Sequence, residues 1–454
     1  MKPLGLVIGL VSILTTLGCA TDFNRTRARH VEEFPEALAQ KSRGLINADD
    51  PLDLNSCIEI ALENNLDIKI ADINGKLAGI DRNIAFSNFL PHMEVQLVSL
   101  NNDEQQLQKA MGSYFPMADQ DITQKVISGQ LAIFTPQTWF LYEAYKKGED
   151  IQLLVAERVR QAIRLQVTAL YMACLSQESS EKAIEASLEQ AKSLMKEMGA
   201  LYREGLVLKS NLEDARTFLA SQENRLTENR RLQKITKAEL MEAMGLSPLV
   251  DISIKAVPSS SIEDEGLTQQ IYEALINRLE MRIADRNVSI RKDAVKIAIA
   301  GFLPRIILFS DYTNSSNSYQ YYESIWSYGI SGVLSVFEGF ANIQGYRAAK
   351  RGHEQAILER EQSCMKIMLE VIKARDLLEK AKETKTLLSK EMEASLSNLK
   401  EVQAQWNEGM VTSSDKLKAI SRQTTAEANL ALADYQYQVA AASMMDVMGL
   451  SGKE

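Results

Sequence analysis

The chain has 454 residues, 45% of them hydrophobic, 24% charged and only 6% aromatic, with 22 Gly, 9 Pro and 4 Cys. That composition excludes collagen-like, low-complexity and disulfide-scaffold classes. Lys and Arg number 51 against 60 Asp and Glu, a formal net charge of −9. No basic face for a nucleic-acid duplex is expected, so nucleic acid is not a partner.

Residues 1–20 read as a secretory signal: Lys2 gives the positive start, Leu4 to Gly18 is an uncharged apolar run, and small residues close it. That run is shorter than the roughly 20 residues a spanning helix needs. Cleavage before Cys19 would make 1–19 the signal and leave a mature N-terminal cysteine to carry lipid, as in bacterial lipoproteins. Gly18-Cys19 fits that pattern, but Thr16 stands where leucine is usual; ordinary cleavage after Ala20 is the alternative. Residues 20–50 are polar and of mixed charge, and an extended tether is expected there. Beyond the signal no run of 18 apolar residues occurs, so any membrane crossing must be a β-barrel.

From residue 51 the sequence repeats itself. ALENNLDIKIADIN at 61 returns as ALINRLEMRIADRN at 274, and Phe89-Leu90-Pro91 returns as Phe302-Leu303-Pro304, both 213 residues on. LYREGLV at 201 returns as QWNEGMV at 405, and MEAMGLS at 241 as MDVMGLS at 445, both 204 on. Four blocks in the same order define a duplication: residues 51–250, a linker 251–266, and residues 267–452. The shorter second offset places a length difference between the prolines and the glycines, most simply in the polar stretch 101–127 against 313–325.

Each copy opens on a helix, 55–88 and 267–301, that stops before Pro91 or Pro304. Alternation follows. His92, Glu94, Gln96 and Val98 fall on one side of a strand, with Met93, Val95 and Leu97 on the other, and a second strand is expected at 128–136. In the second copy Trp326, Tyr328, Ile330, Leu334 and Val336 alternate with Ser327, Gly329, Ser331, Val333 and Ser335, the pattern of a barrel wall between lipid and water. Arg305 and Asp311 oppose Ile306 and Leu308, which puts the charged pair on the lumen side. The aromatics Tyr319, Tyr321, Tyr322, Trp326 and Tyr328 cluster as in an interface girdle.

Two long helical stretches complete each copy, since no proline occurs in 137–247 or 305–454. Ile184, Leu188, Ala191, Met195 and Met198 step by 4, 3, 4 and 3, a coiled-coil seam. Gly205 and Gly409 turn one helix back on the next, and Gly245 and Gly449 end the returning helices. Helix 137–204 would be roughly 100 Å long and its return 207–245 about 58 Å, leaving room for the copy's first helix to complete the wall.

Catalytic motifs are missing from the sequence. His30, His92 and His353 are scattered, and neither GxxxxGK[ST] nor GxSxG occurs. Cys57, Cys174 and Cys364 lie far apart without a CxxC, so they read as buried thiols on helices. No enzyme activity, cofactor or metal is expected.

The ALENNLDIKIA and FLP blocks, the repeated Tyr/Trp-x-Glu-Gly turn, the MGL terminators and Phe337-Glu338-Gly339 together resemble the TolC-like outer-membrane efflux proteins, over about residues 51–452. Phe134-Thr135-Pro136 departs from the glycine usual there. The resemblance implies a mainly α fold with a small β part. Tandem-duplicated α-helical hairpins form a periplasmic barrel, and four strands per protomer enter a trimeric twelve-stranded transmembrane β-barrel. It implies a homotrimer in the cell outer membrane, in contact with its lipid and extending into the periplasm. Its partners would be a periplasmic adaptor and an inner-membrane RND, ABC or MFS-type transporter, and its work that of an exit channel for tripartite efflux or type I secretion. By the same resemblance Tyr202, Glu204, Gly205 and Val207, with Trp406, Glu408, Gly409 and Val411, are the adaptor-docking helix tips. Asp415 lines the periplasmic entrance, and Lys418 stands where a second acidic residue is usual. The alternative is a lipid-tethered periplasmic coiled-coil scaffold without a barrel.

Overall fold

The duplicated sequence folds into a duplicated order of elements: helix, helix, strand, strand, long helix, returning helix. In the computed structural model, which describes residues 23–46, 51–256 and 266–451, the first copy runs α2 (Leu54–Asn64), α3 (Leu66–Ser87), β1 (His92–Asn101), β4 (Asp121–Phe134), α4 (Pro136–Arg203) and α5 (Lys209–Ala243). The second runs α6 (Leu267–Asn277), α7 (Leu279–Ala300), β5 (Arg305–Ser315), β6 (Ser324–Val333), α8 (Ala341–Asn407) and α9 (Ser413–Val447). The fold is mainly helical with a small sheet. Cys19 and residues 257–265 of the linker lie outside the described residues.

Two units divide the chain, one of residues 1–66, 163–262 and 377–443, the other of residues 67–162, 263–376 and 444–454. They do not follow the repeats, because α4 and α8 are uninterrupted and each contributes to both. Pro136 opens α4 at the first helical position, where its missing N–H costs no helical hydrogen bond.

In the first unit α4 and α5 form a hairpin on the expected seam. Ile184 and Leu188 bury against Leu226, and Leu194 and Met198 against Leu212 and Ala215. Arg230 bridges Glu181 at 2.6 Å and Glu185 at 2.7 Å on the hairpin's wet side. Cys57 and Cys174 are buried, and that burial pushes each thiol up to about 12. The described end of the linker is stitched in place: Ile254 bridges Leu52, and the buried Tyr171 hydroxyl sits 2.6 Å from Lys255 O and 2.9 Å from Leu52 O.

Two expectations are corrected here. Residues 23–45 are not an extended tether but a helix, α1 (Phe23–Leu45), held at its end by Ser42, whose buried Oγ accepts the Ser247 N–H at 2.8 Å. Its apolar residues Phe23, Val31, Phe34 and Leu38 recur on one helical face, and Arg29 pairs with Glu33 one turn on, a periodicity outweighed in the reading by the stretch's polar composition.

The opening helix of each copy is also not continuous. It breaks at Asn65, where ψ is 135°, and at Arg278, where ψ is 134°, positions equivalent across the duplication. The terminator glycines explain the breaks. Gly245 has φ +69°, and a Cβ there would lie 2.4 Å from Asn64 O; Gly449 has φ +73°, and a Cβ there would lie 3.0 Å from the Arg278 nitrogen. Each glycine thus seats the end of a returning helix on bare backbone, and the opening helix must part to receive it. Asn65 completes the first joint by donating from Nδ2 to Ala243 O at 2.8 Å. At the second, buried Arg278 pairs with Glu280 and Glu370, while Arg158 grips Asp446 with two bonds of 2.9 and 3.0 Å.

The second unit holds the sheet. Its order is β1-β4-β5-β6, antiparallel throughout, with Met93 opposite Gly129, Gly129 opposite Ser310 and Ser310 opposite Tyr328. β4 starts seven residues before the expected 128 and β6 ends at Val333, so Leu334 and Val336 lie past the strand. The extra length of the first copy is a hairpin, β2 (Leu107–Ala110) and β3 (Ser113–Pro116), turned by Met111 at φ 50° and Gly112 at φ 85°. Two successive positive φ values are the mark of a type I′ turn.

Candidate membrane face and helix tips

Strand alternation gives the sheet two unlike faces. Met93, Val95, Leu97, Ile127, Leu131, Leu308, Tyr312, Trp326, Tyr328 and Ile330 share one face by register. Glu94, Gln96, Ser128, Gln130, Arg305, Asp311, Ser327 and Ser331 share the other. The apolar face is not covered by the chain's own residues: Val95 is 76% exposed, Tyr328 80% and Ile330 69%. An apolar groove of about 540 Å³ runs along it, walled by Met93, Leu131, Leu308, Tyr312 and Trp326. So large an exposed apolar surface needs another medium or another molecule against it.

Trp326 stacks edge-on against Tyr312, with its Nε1 donating to Ser310 Oγ at 2.8 Å, and Tyr321 meets Tyr322 at right angles. Each strand of the sheet has 10 to 14 residues, enough to cross a bilayer at a tilt. Among the described residues no helix is long and apolar enough to cross a membrane.

The helix tips lie in the first unit, and the structure brings the two turns together. In each, the glycine closes the helix in a left-handed conformation, Gly205 at φ +75° and Gly409 at φ +73°. The N–H of Leu206 bonds Leu201 O and that of Met410 bonds Gln405 O, satisfying the last carbonyls. Trp406 reaches across the pair: its ring packs on the cluster of Leu194, Met198 and Leu212 and its Nε1 donates to Glu197 at 3.0 Å. Lys416 sits over the same ring at 4.8 Å and bridges Glu197 at 3.4 Å. Asn211 donates to Ser413 Oγ at 3.0 Å between the turns.

Of the residues named from the sequence, Tyr202, Glu204 and Glu408 face solvent, whereas Trp406, Val207 and Val411 are half-buried. The apolar groups that point outward are Leu206, Leu208 and Met410, at 67%, 73% and 71% exposure. These were not singled out in the sequence, and the only cue was three large apolar side chains beside glycines in a turn.

Asp415 is also exposed, but its carboxylate is engaged. It accepts the Thr412 N–H at 3.1 Å and the Thr412 hydroxyl at 2.6 Å, while its own N–H reaches back to Thr412 Oγ1. This reciprocal cap opens α9, and the hydroxyl bond, with the backbone one, holds the carboxyl below the usual range. The neighbouring Lys418 is a lesser influence on it than Thr412. Among the described residues no group of His, Cys, Asp and Glu could hold a metal ion.

A sheet apolar on one side and polar on the other, joined to long antiparallel helical hairpins, defines the class of outer-membrane efflux channels. Residues 270–450, the second copy, match the family described as outer membrane efflux protein and belong to it, as the sequence resemblance implied. Solved structures share the fold over nearly the whole chain. The CmeC outer membrane channel of Campylobacter jejuni superposes with TM-score 0.76 at 17% identity, over 88% of this chain and 86% of that one. The outer membrane protein VceC of Vibrio cholerae gives 0.73 at 14% identity, over 87% and 96%. The MtrE outer membrane channel of Neisseria gonorrhoeae, in its open state, gives 0.71 at 17%, over 87% and 89%. The family and these relatives are channels and not enzymes. No curated protein matches the chain at the sequence level.

Proposed function

We propose that the protein is the trimeric exit channel of a tripartite efflux or type I secretion system, lodged in the outer membrane and reaching into the periplasm. The observation that carries this reading is the sheet: four antiparallel strands, lipid-like on one face and water-like on the other, whose outer strands β1 and β6 are unpaired by the chain itself. Long open edges beside an apolar face invite aggregation unless they are closed. Three copies joined β1 to β6 close a twelve-stranded barrel with no edges, its apolar face to lipid and Glu94, Asp311 and Arg305 to water. A scaffold without a barrel would leave Met93, Val95, Tyr328 and Ile330 in water.

The helix tips are the docking surface for a periplasmic adaptor, which links the channel to an inner-membrane transporter of RND, ABC or MFS type. Tyr202, Glu204, Gly205, Trp406, Glu408 and Gly409 build the two turns, Val207 and Val411 brace them, and Leu206, Leu208 and Met410 offer the apolar contact. The test charges the outward groups. Leu206→Asp with Met410→Asp is expected to abolish export in cells while heat-resistant trimers persist, and normal export would rule out docking at the tips. Asp415, repeated three times around the axis, is the acidic element of the periplasmic entrance. Asp415→Ala channels with unchanged cation selectivity would remove it from the conducting path.

A further inference from the structure

Helix α3, which leads into β1, carries a stripe of aliphatic side chains with nothing of its own chain over them. Ile70, Ile73, Leu77, Ile80 and Ile84 step by 3, 4, 3 and 4 and are each 51–60% exposed. Such spacing makes a continuous seam that is stable only against another helix. Helix α8, which leaves β6, carries a seam of the opposite kind at the same spacing. Ala341, Gly345, Ala348 and Gly352 lie along it, and a Cβ at either glycine would meet nothing within 4 Å.

The sheet fixes how the two could meet. β1 and β6 are its outer strands, so closing the ring puts β1 of one copy beside β6 of the next. The helices attached to those strands are then neighbours across the same join, and they run antiparallel. Counted from the strands, the seams fall level. Ile84 lies eight residues before His92 and Ala341 eight after Val333; Ile80 and Gly345 lie at twelve, Leu77 and Ala348 at fifteen, Ile73 and Gly352 at nineteen. Each large side chain faces a small one, which lets the helix axes approach closely. Charge agrees: Asp81 meets the basic run Arg347, Lys350 and Arg351, and Lys69, farther along, meets Glu354 and Glu359.

We infer that the α3 stripe of one copy packs antiparallel into the Ala/Gly stripe of α8 in the next, a heterologous contact that closes after three. It rests on the trimer proposed above and names the surface that holds it. Leu77→Cys with Ala348→Cys, oxidised in native membranes, should give a ladder of two- and three-chain species on a denaturing gel, at least tenfold above either single variant. Trimers by light scattering that give no ladder would overturn the seam and leave the channel standing, whereas monomers would overturn both. Leu77→Cys alone yielding two-chain species would mean that α3 meets α3, and overturn it too. Ala348→Leu, at an exposed site that a lone copy tolerates, should abolish trimers with helical content retained; trimers unchanged in amount contradict the seam.

Discussion

Gly245→Ala is expected to destabilise the protein by about 3 kcal/mol or more, well beyond the same change at Gly205. Both glycines are left-handed, at φ +69° and +75°, so each substitution carries the roughly 1–2 kcal/mol that a Cβ costs in that conformation. They differ in what the new methyl meets. At Gly205 there is nothing within 4 Å, and the penalty ends there. At Gly245 the Cβ would press on Asn64 O, Asn64 C and the Asn65 nitrogen at 2.4, 2.6 and 2.8 Å, all backbone, and none can rotate away. The joint must open, and with it goes the Asn65 bond to Ala243 O. Thermal unfolding followed by circular dichroism separates the two: equal shifts for Gly245→Ala and Gly205→Ala would show that the close contact contributes nothing.

Adjacent residues of β6 should respond in opposite ways to the same charge. Ile330 lies on the apolar face opposite Leu308, and Ser331 on the polar face opposite Ile307. If that apolar face meets lipid, Ile330→Arg costs about 2–4 kcal/mol in each copy near the bilayer midplane, enough to deplete inserted, heat-resistant trimers. Ser331→Arg, turned to the lumen, should insert normally and shift the unit conductance instead. Gel assays of membrane fractions read the first, and single-channel recording the second. Normal insertion of Ile330→Arg with failed insertion of Ser331→Arg would reverse the two faces.

Period and punctuation made much of this fold readable. The alternation of Met93, Val95 and Leu97 with Glu94 and Gln96 is a local signal, and the sheet keeps it. So is the seam of Ile184, Leu188 and Met198, which the α4–α5 hairpin buries. The breaks at Asn65 and Arg278 were not readable, because neither residue is a helix breaker and the cause lies in glycines far along the chain that need bare backbone to rest on. The β2–β3 hairpin was hidden by its polar composition, although Met111-Gly112 supplies a turn. At the tips the glycines and Trp406 were legible from the repeat, but which apolar side chains turn outward is a matter of packing. Val207 and Val411 fold partly under while Leu206 and Met410 do not. The cap at Asp415 did have a signature, Thr-x-x-Asp at the start of a helix, overlooked beside the charge of Lys418.

Whether three copies enclose a water-filled bore is answered most directly by adding the purified full-length protein, in detergent, to a planar lipid bilayer under voltage. An open path lined by Glu94, Asp311 and Arg305 predicts discrete, reproducible steps of ionic current that appear only with the trimeric fraction. Bilayers that take up the trimer and stay electrically silent at every voltage would contradict it.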